Sequence, residues 1–206
     1  MSLYKTYTPG SKILPADLLG QSSAVKPLIF LLRHGRIQGY ETKRFIGRTD
    51  VLLDDLGREQ GLFWQTAFSG MGFDAVYSST LKRCMDTASL VCPEHKIYIE
   101  SRLNEINMGT WDGKSFDEIR QAMPKEFEKR GQQMDSFKPP GGESFQDLQD
   151  RALPFFDEIR KKQVGRILLV THAGVIRVIL CRIMGLHPKD LFKIDLEYGQ
   201  LFIISF

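Results

Sequence analysis

Two uninterrupted apolar runs stand out along the chain. Leu28-Ile29-Phe30-Leu31-Leu32 lies between Pro27 and Arg33, and Ile167-Leu168-Leu169-Val170 lies far downstream. Short apolar runs of this kind suit strands buried on both faces, as in a parallel sheet. Ala75-Val76-Tyr77 and Ile97-Tyr98-Ile99 are shorter candidates, and Leu201-Phe202-Ile203-Ile204 predicts a last strand. Helices fall between them. Asp54 or Asp55 can cap a helix running to about Phe68, and Ser79 or Thr80 can cap the next. In that second helix Leu81, Cys84, Met85, Ala88, Val91 and Cys92 make one apolar face, with Arg83 off the stripe near the start. Ser144 and Asp147 form a capping-box pattern. The helix after it turns Phe145, Leu148, Ala152, Phe155 and Ile159 inward, and Pro154 predicts a kink. Val175–Met184 is apolar nearly all round and reads as a buried helix. Residues 108–142 lack a strong strand and read as a small helical insertion or lid.

Strands alternating with helices predict a three-layer α/β/α sandwich with a mostly parallel sheet of about six strands. Residues 28–206 form this domain. Residues 1–27 hold Pro9, Gly10, Pro15, Gly20 and Pro27 with little periodicity. They read as an N-terminal extension laid on the domain, with a short helix near Ile13–Leu19.

Composition narrows the classes. The chain has 206 residues, 42% hydrophobic and 26% charged, which fits one ordinary folded domain rather than a disordered chain. Cys84, Cys92 and Cys181 are an odd number at no metal-ligand spacing. A disulfide scaffold and a zinc site are therefore not expected, and a reducing, cytoplasmic setting is. The first 27 residues contain no apolar run of the length that a secretory signal needs. No stretch of about 18 apolar residues occurs, so no membrane span is expected. The net charge of +3 is too small to argue for nucleic acid, and the basic residues have no aromatic interleaving.

The candidate chemistry sits where the two apolar runs end. The first continues into Arg33-His34-Gly35 and the second into Thr171-His172-Ala173-Gly174. In open α/β sheets ligands bind beyond the carboxyl ends of the strands. Two histidines at such ends, each followed closely by glycine, predict a site that a ligand can approach through the backbone. Arg33 predicts an anionic ligand, since guanidinium binds phosphate or carboxylate bidentately. Arg83 lies at another strand-to-helix junction, where a lone arginine is by default a solvated charge. Glu105 alone is an ordinary surface carboxylate. A cysteine phosphatase would need arginine six residues after its cysteine, and Leu90, Tyr98 and His187 stand there. The Gly109 and Gly113-Lys114-Ser115 spacing is one residue short of a phosphate-binding P-loop, and Ser115 with Glu118 reads better as a capping box.

Taken in order, these segments resemble the histidine phosphatase, or phosphoglycerate mutase-like, superfamily. The resemblance rests on Arg33-His34-Gly35, Arg44-Phe45-Ile46-Gly47, Ser78-Ser79-Thr80-Leu81-Lys82-Arg83 with Thr87-Ala88, Leu103-Asn104-Glu105, Gly142-Glu143-Ser144 and Thr171-His172-Ala173-Gly174-Val175-Ile176-Arg177. It covers residues 28–206. It implies that His34 is the nucleophile, forming a phosphohistidine. It implies that Arg33, Arg83, His172 and the Ala173 N–H hold the phosphoryl group. Glu105 is implied as the general acid and then base, a role that needs partial burial, with Trp111 or Met108 as its apolar wall. No metal and no cofactor is implied. The expected partner is a small phosphorylated substrate, and the expected state is monomer or homodimer.

The sequence departs from the family at Arg36, Ile37 and Tyr40, where glutamate, a hydroxyl residue and asparagine are common. Arg36 or Lys43 is expected to substitute as a phosphate-side cation. Arg44, Trp111 and Glu143 are further candidates for substrate contact. The Pro139-Pro140-Gly141-Gly142-Glu143-Ser144 segment and the Gly109-Thr110-Trp111-Asp112-Gly113 segment resemble the phosphatase branch that includes α-ribazole phosphatase. A cofactor-dependent phosphoglycerate mutase, or an impaired relative that only binds phosphorylated ligands, are the alternatives. The charge distribution agrees with a small anion. Residues 1–48 carry a balance of +6 and the remainder −3, with Arg33, Arg36, Lys43, Arg44 and Arg48 following the first strand.

Overall fold

The computed structural model describes residues 4–11, 27–162 and 165–206. The short helix expected near Ile13–Leu19 lies outside the described residues. Strands are β1 (Tyr4–Tyr7), β2 (Leu28–Arg33), β3 (Ala75–Ser78), β4 (Ile97–Ile99), β5 (Arg166–Thr171) and β6 (Leu201–Ile204). Helices are α1 (Asp55–Ala67), α2 (Lys82–Val91), α3 (Phe116–Ala122), α4 (Pro124–Gln132), α5 (Phe145–Lys162) and α6 (Ala173–Met184). The sheet order is β1-β6-β2-β5-β3-β4. The pairings β2–β5, β5–β3 and β3–β4 are parallel, while β6 runs antiparallel to β2 and to β1. Tyr4–Tyr7, within the stretch read as an extension, supplies an edge strand that covers β6.

The apolar run of β2 is explained by its two covered faces. Ile29 and Leu31 pack into a core shared with α5 and α6. Phe30 and Leu32 pack into a second core with Trp64 of α1 and Cys84 and Ala88 of α2. Each such buried side chain contributes about 1.5–3 kcal/mol, so a polar residue on either face of β2 would be destabilising. A third core belongs to the insertion, where Phe45, Trp111, Ile119 and Phe137 pack together.

The caps are partly as the sequence predicts. Asp54 caps α1 by accepting from the Gly57 N–H at 2.7 Å. Ser115 and Glu118 complete a capping box on α3, and Ser144 and Asp147 exchange backbone bonds at the start of α5. Neither Ser79 nor Thr80 caps α2. Its N-cap is Leu81, which offers no side-chain bond, because Ser79 and Thr80 are engaged by Asn104. Helix α5 continues through Pro154. No helix among the described residues is long and apolar enough to cross a membrane.

Candidate active site

Strand register brings the site together. Arg33 on β2 pairs with Thr171 on β5, and Ser78 on β3 pairs with Val170. The next residues therefore emerge side by side: the His34 N–H donates to the Thr171 carbonyl at 3.0 Å and the Ser79 N–H to the Val170 carbonyl at 3.1 Å. His34 and His172 are both buried, with ring centroids 5.1 Å apart.

Each histidine is oriented by a specific partner. His34 donates from Nδ1 to its neighbour's carbonyl, Gly35 O, at 2.8 Å. That bond holds the neutral tautomer with the lone pair on Nε2. His172 Nε2 lies 2.8 Å from Ser79 Oγ, and Ser79 donates in turn to Asn104 Oδ1 at 2.9 Å. Burial, then the charges of Arg83 and Arg33, push the His34 pKa well below the usual imidazole range. Burial and Arg83 also lead the lowering at His172, with His34 and Arg33 adding to it. Both rings are therefore neutral near pH 7 in the unliganded protein.

Arg83 is not the solvated helix charge that its position suggests. It is buried, with its terminal nitrogens donating to Thr49 O at 2.8 Å and Gly47 O at 2.7 Å. Arg33 donates to Leu196 O at 2.7 Å and lies 3.7 Å over the Tyr198 ring. The Nε atoms of both arginines are buried without a hydrogen-bond partner. Two guanidinium groups with unspent donors, flanking two neutral imidazoles, make a pocket suited to a tetrahedral anion. His172 caps α6, so the N–H of Ala173 stands in the first turn, where helical N–H groups lack intrahelical acceptors and favour negative charge.

The same segments define a known family. A family model for the histidine phosphatase superfamily (branch 1) matches residues 29–206. The chain belongs to the histidine phosphatase superfamily. It is 34% identical over 166 residues to the metal-independent phosphoserine phosphatase of Arabidopsis thaliana, covering 75% of this chain and 68% of that protein. It is 29% identical over 179 residues to 2,3-bisphosphoglycerate-dependent phosphoglycerate mutase 2 of Gloeobacter violaceus, covering 83% and 82%. The crystal structure of the α-ribazole phosphatase from Shigella flexneri superposes with a TM-score of 0.79 at 25% identity, covering 85% of this chain and 89% of that one.

In this histidine phosphatase superfamily member the structure also shows what holds the motif residues Thr87, Glu105 and Gly174 in place. Thr87 Oγ1 donates to Arg83 O and accepts from the Gly35 N–H at 3.1 Å, tying α2 to the loop after His34. Glu105 is buried and held by two N–H donors, Ile106 at 2.9 Å on Oε1 and Gly174 at 3.1 Å on Oε2. Arg151 pins the backbone that carries it, donating to the carbonyls of Arg102, Asn104 and Glu105. Gly174 has no room for a side chain, since a Cβ there would sit well under 3.0 Å from Glu105 Oε1.

Several expected substrate contacts are corrected. Trp111 is fully buried in the core of the insertion, with Nε1 near the Met123 sulfur, so Met108 alone of the two walls the Glu105 cleft. Glu143 spends both carboxylate oxygens on Arg151, Arg48 and the Asn107 N–H, and so braces the loop after Glu105. Arg36 pairs with Asp54 at 2.6 Å and stacks on Tyr40 at 4.0 Å, which turns it away from a phosphate role. Ile37, where the family often has a hydroxyl, is buried and bridged to Leu53. Lys43 is exposed. Arg44 does line the cleft on which Glu105 opens, and so do Arg130, Arg177 and Phe192, which sequence reasoning missed. Arg177 lies three residues after Gly174 and was legible as a motif member. Arg130 and Phe192 have no local signal.

Proposed function

We propose that this protein is a metal-independent phosphomonoesterase acting through a phosphohistidine on a small phosphorylated metabolite. The observation that carries the reading is the Nδ1–Gly35 bond, which leaves the His34 Nε2 lone pair free beside Arg33 and Arg83. In the first step Nε2 attacks phosphorus and the phosphorus–oxygen bond to the alcohol breaks. Glu105, protonated, gives its proton to the departing oxygen. Arg33, Arg83 and the Ala173 N–H stabilise charge on the phosphoryl oxygens, which are rich in negative charge through the transfer, and His172 joins them as a donor when the bound anion draws a second proton onto its Nδ1. In the second step the Glu105 carboxylate takes a proton from water, the water oxygen bonds to phosphorus, and the nitrogen–phosphorus bond breaks. Inorganic phosphate and neutral His34 result.

The test is phosphate release from a panel of phosphomonoesters in the presence of a chelator, with His34→Ala as control. Turnover in wild type, with an acid-labile, base-stable phosphoenzyme that His34→Ala lacks, is expected. No release above the control would overturn the reading and favour a protein that binds phosphorylated ligands without turning them over. A second reading, α-ribazole 5′-phosphate as the substrate, is favoured by the structural likeness to α-ribazole phosphatase, and this compound belongs in the panel. Running 3-phosphoglycerate with and without 2,3-bisphosphoglycerate separates hydrolysis from mutase transfer.

A further inference from the structure

The two arginines of the anion pocket are held in different ways. Arg83 is fixed by two backbone carbonyls, Thr49 O at 2.8 Å and Gly47 O at 2.7 Å. Arg33 has one, Leu196 O at 2.7 Å. Its Nε is buried without a hydrogen-bond partner, and Glu105 acts on it only through space. An aromatic ring completes its seat. The guanidinium carbon lies 3.7 Å from the centre of the Tyr198 ring, which is also 5.6 Å from the centre of the His34 ring. The face of such a ring attracts a cation, and its flat wall keeps a planar guanidinium from swinging. The Tyr198 hydroxyl makes no hydrogen bond among the described residues, so the ring and not the hydroxyl is what Arg33 meets.

Tyr198 stands in a turn that is tied on two sides. The Gln200 N–H donates to Glu197 O at 3.3 Å, and Gly199 takes a φ of +67°, in the left-handed region that favours glycine. Towards the site, the Gly199 N–H donates to His34 O at 3.1 Å and Gln200 O accepts from the Arg33 N–H at 3.0 Å. Away from it, Trp64 Nε1 donates to Gly199 O at 2.7 Å. The remaining ties lead to the N-terminal residues. Gln200 Oε1 accepts from the Glu197 N–H at 2.7 Å, while its Nε2 donates to Thr6 Oγ1 of β1 at 2.8 Å. Pro9 closes over Gly199, where a Cβ would sit 3.0 Å from Pro9 Cγ. Thr6 and Pro9 lie outside the residues 29–206 that match the family, so membership of the family gives them no role.

We propose that Tyr198 is a positioning residue for Arg33, and that the N-terminal residues Thr6 and Pro9 keep it in place by clamping the turn of residues 197–200. This rests on the phosphatase reading above for the role of Arg33. The consequence is tighter binding of the phosphoryl group, because an arginine that is already aimed loses less side-chain freedom when the anion arrives.

The experiment measures binding of inorganic phosphate by titration calorimetry, and kcat/KM on p-nitrophenyl phosphate, in the full chain. Tyr198→Leu is expected to weaken phosphate binding by about threefold to thirtyfold, the worth of a cation–π contact away from bulk water. Tyr198→Phe, which keeps the ring, is expected to retain most of the affinity. In an Arg33→Met background Tyr198→Leu should lower kcat/KM little further, since the group that it positions is gone. A merely structural role would instead give losses that add. The double variant Thr6→Val, Pro9→Ala is expected to weaken phosphate binding by about twofold to fivefold, and to add nothing once Tyr198 is leucine. Turnover in wild type together with unchanged phosphate affinity in Tyr198→Leu would overturn this inference and leave the phosphatase reading standing. Unchanged affinity in the Thr6, Pro9 double variant would overturn the role of the N-terminal residues. A wild-type protein that neither binds phosphate nor turns over any phosphomonoester would overturn both readings.

Discussion

His172 donates from Nε2 to the Ser79 hydroxyl at 2.8 Å, and the direction of that bond is set one residue further on. Ser79 donates its own proton to Asn104 Oδ1, which also accepts from the Thr80 N–H at 2.9 Å and is acceptor-only at that atom. Ser79 is therefore left to accept, and neutral His172 carries its proton on Nε2. A second proton can then go only to Nδ1, without disturbing the Ser79 bond. Ser79→Ala is expected to lower kcat about tenfold with little change in melting temperature, since it frees the ring but removes no apolar packing. Asn104→Ala should act through the same hydroxyl. Steady-state kinetics on the two single variants and the double variant check this, and fully additive losses would separate the residues.

Glu105 should reveal its role through the leaving group. Glu105→Gln is expected to slow hydrolysis of alkyl phosphates by about 10²–10⁴-fold, the usual worth of a positioned acid. With p-nitrophenyl phosphate, whose phenolate departs without a proton, the first step should slow far less. Burst kinetics on both substrates give the comparison. Equal losses in that step would remove Glu105 from the protonation.

Gly174→Ala probes the same carboxylate from the backbone side. The added Cβ would fall well under 3.0 Å from Glu105 Oε1, so the carboxylate has to shift. A loss of kcat of about tenfold to a hundredfold on alkyl phosphates is expected, with phosphoenzyme formation slowed. Rapid-quench measurement of the phosphoenzyme is the check, and a wild-type rate would show that the carboxylate can move without cost.

Gly35→Ala should instead be a folding variant. Its Cβ would meet the Gly57 carbonyl well under 3.0 Å away, and backbone is the neighbour that yields least. A loss of about 1–3 kcal/mol is expected from such overpacking. Urea unfolding of the purified variant measures it, and an unchanged midpoint would mean that the start of α1 moves freely.

Stability should depend on pH through His34 and His172. Both are held neutral in the folded protein by burial and by Arg83 and Arg33, so their folded pKa values lie below the unfolded value of about 6.5. As pH falls through that value the unfolded chain binds protons that the folded chain does not. The stabilisation is full above pH of about 6.5 and shrinks below it, by up to about 1.4 kcal/mol per pH unit for each histidine. Urea midpoints followed from about pH 7.5 to 5 should fall in wild type and fall less steeply in His172→Gln. A parallel pair of curves would exclude His172 as a source.

Much of the fold was legible because burial on two faces leaves a continuous apolar run, as in β2 and β5. The insertion was visible only as a stretch without a strand, and its helices were short. The antiparallel direction of β6 was not legible, since a four-residue apolar strand reads the same either way. The Tyr4–Tyr7 edge strand was missed because its middle residues are exposed and carry no apolar pattern. At the site, His34, His172, Arg33, Arg83 and Glu105 were named from their motifs, and the structure brings the first four to the ends of neighbouring strands and the start of α2. Trp111, Glu143 and Arg36 were misjudged for one reason: a polar or aromatic residue near a motif looks alike whether it faces a ligand, a core or an ion partner.

The sequence by itself determined the alternation of the central strands with the helices that cover them, the family, and the residue types able to transfer a phosphoryl group, because these depend on local periodicity and short motifs. Only the tertiary structure decided which groups meet. The Ser79–His172 bond joins residues 93 apart in the chain, and Arg33 is spanned by the carbonyl of Leu196, 163 residues away. Such contacts follow from strand register and helix packing, which set side chains face to face without leaving a trace in neighbouring positions. The meeting of Arg130 and Arg177 over the Phe192 ring is of the same kind, since nothing near either arginine in sequence predicts it.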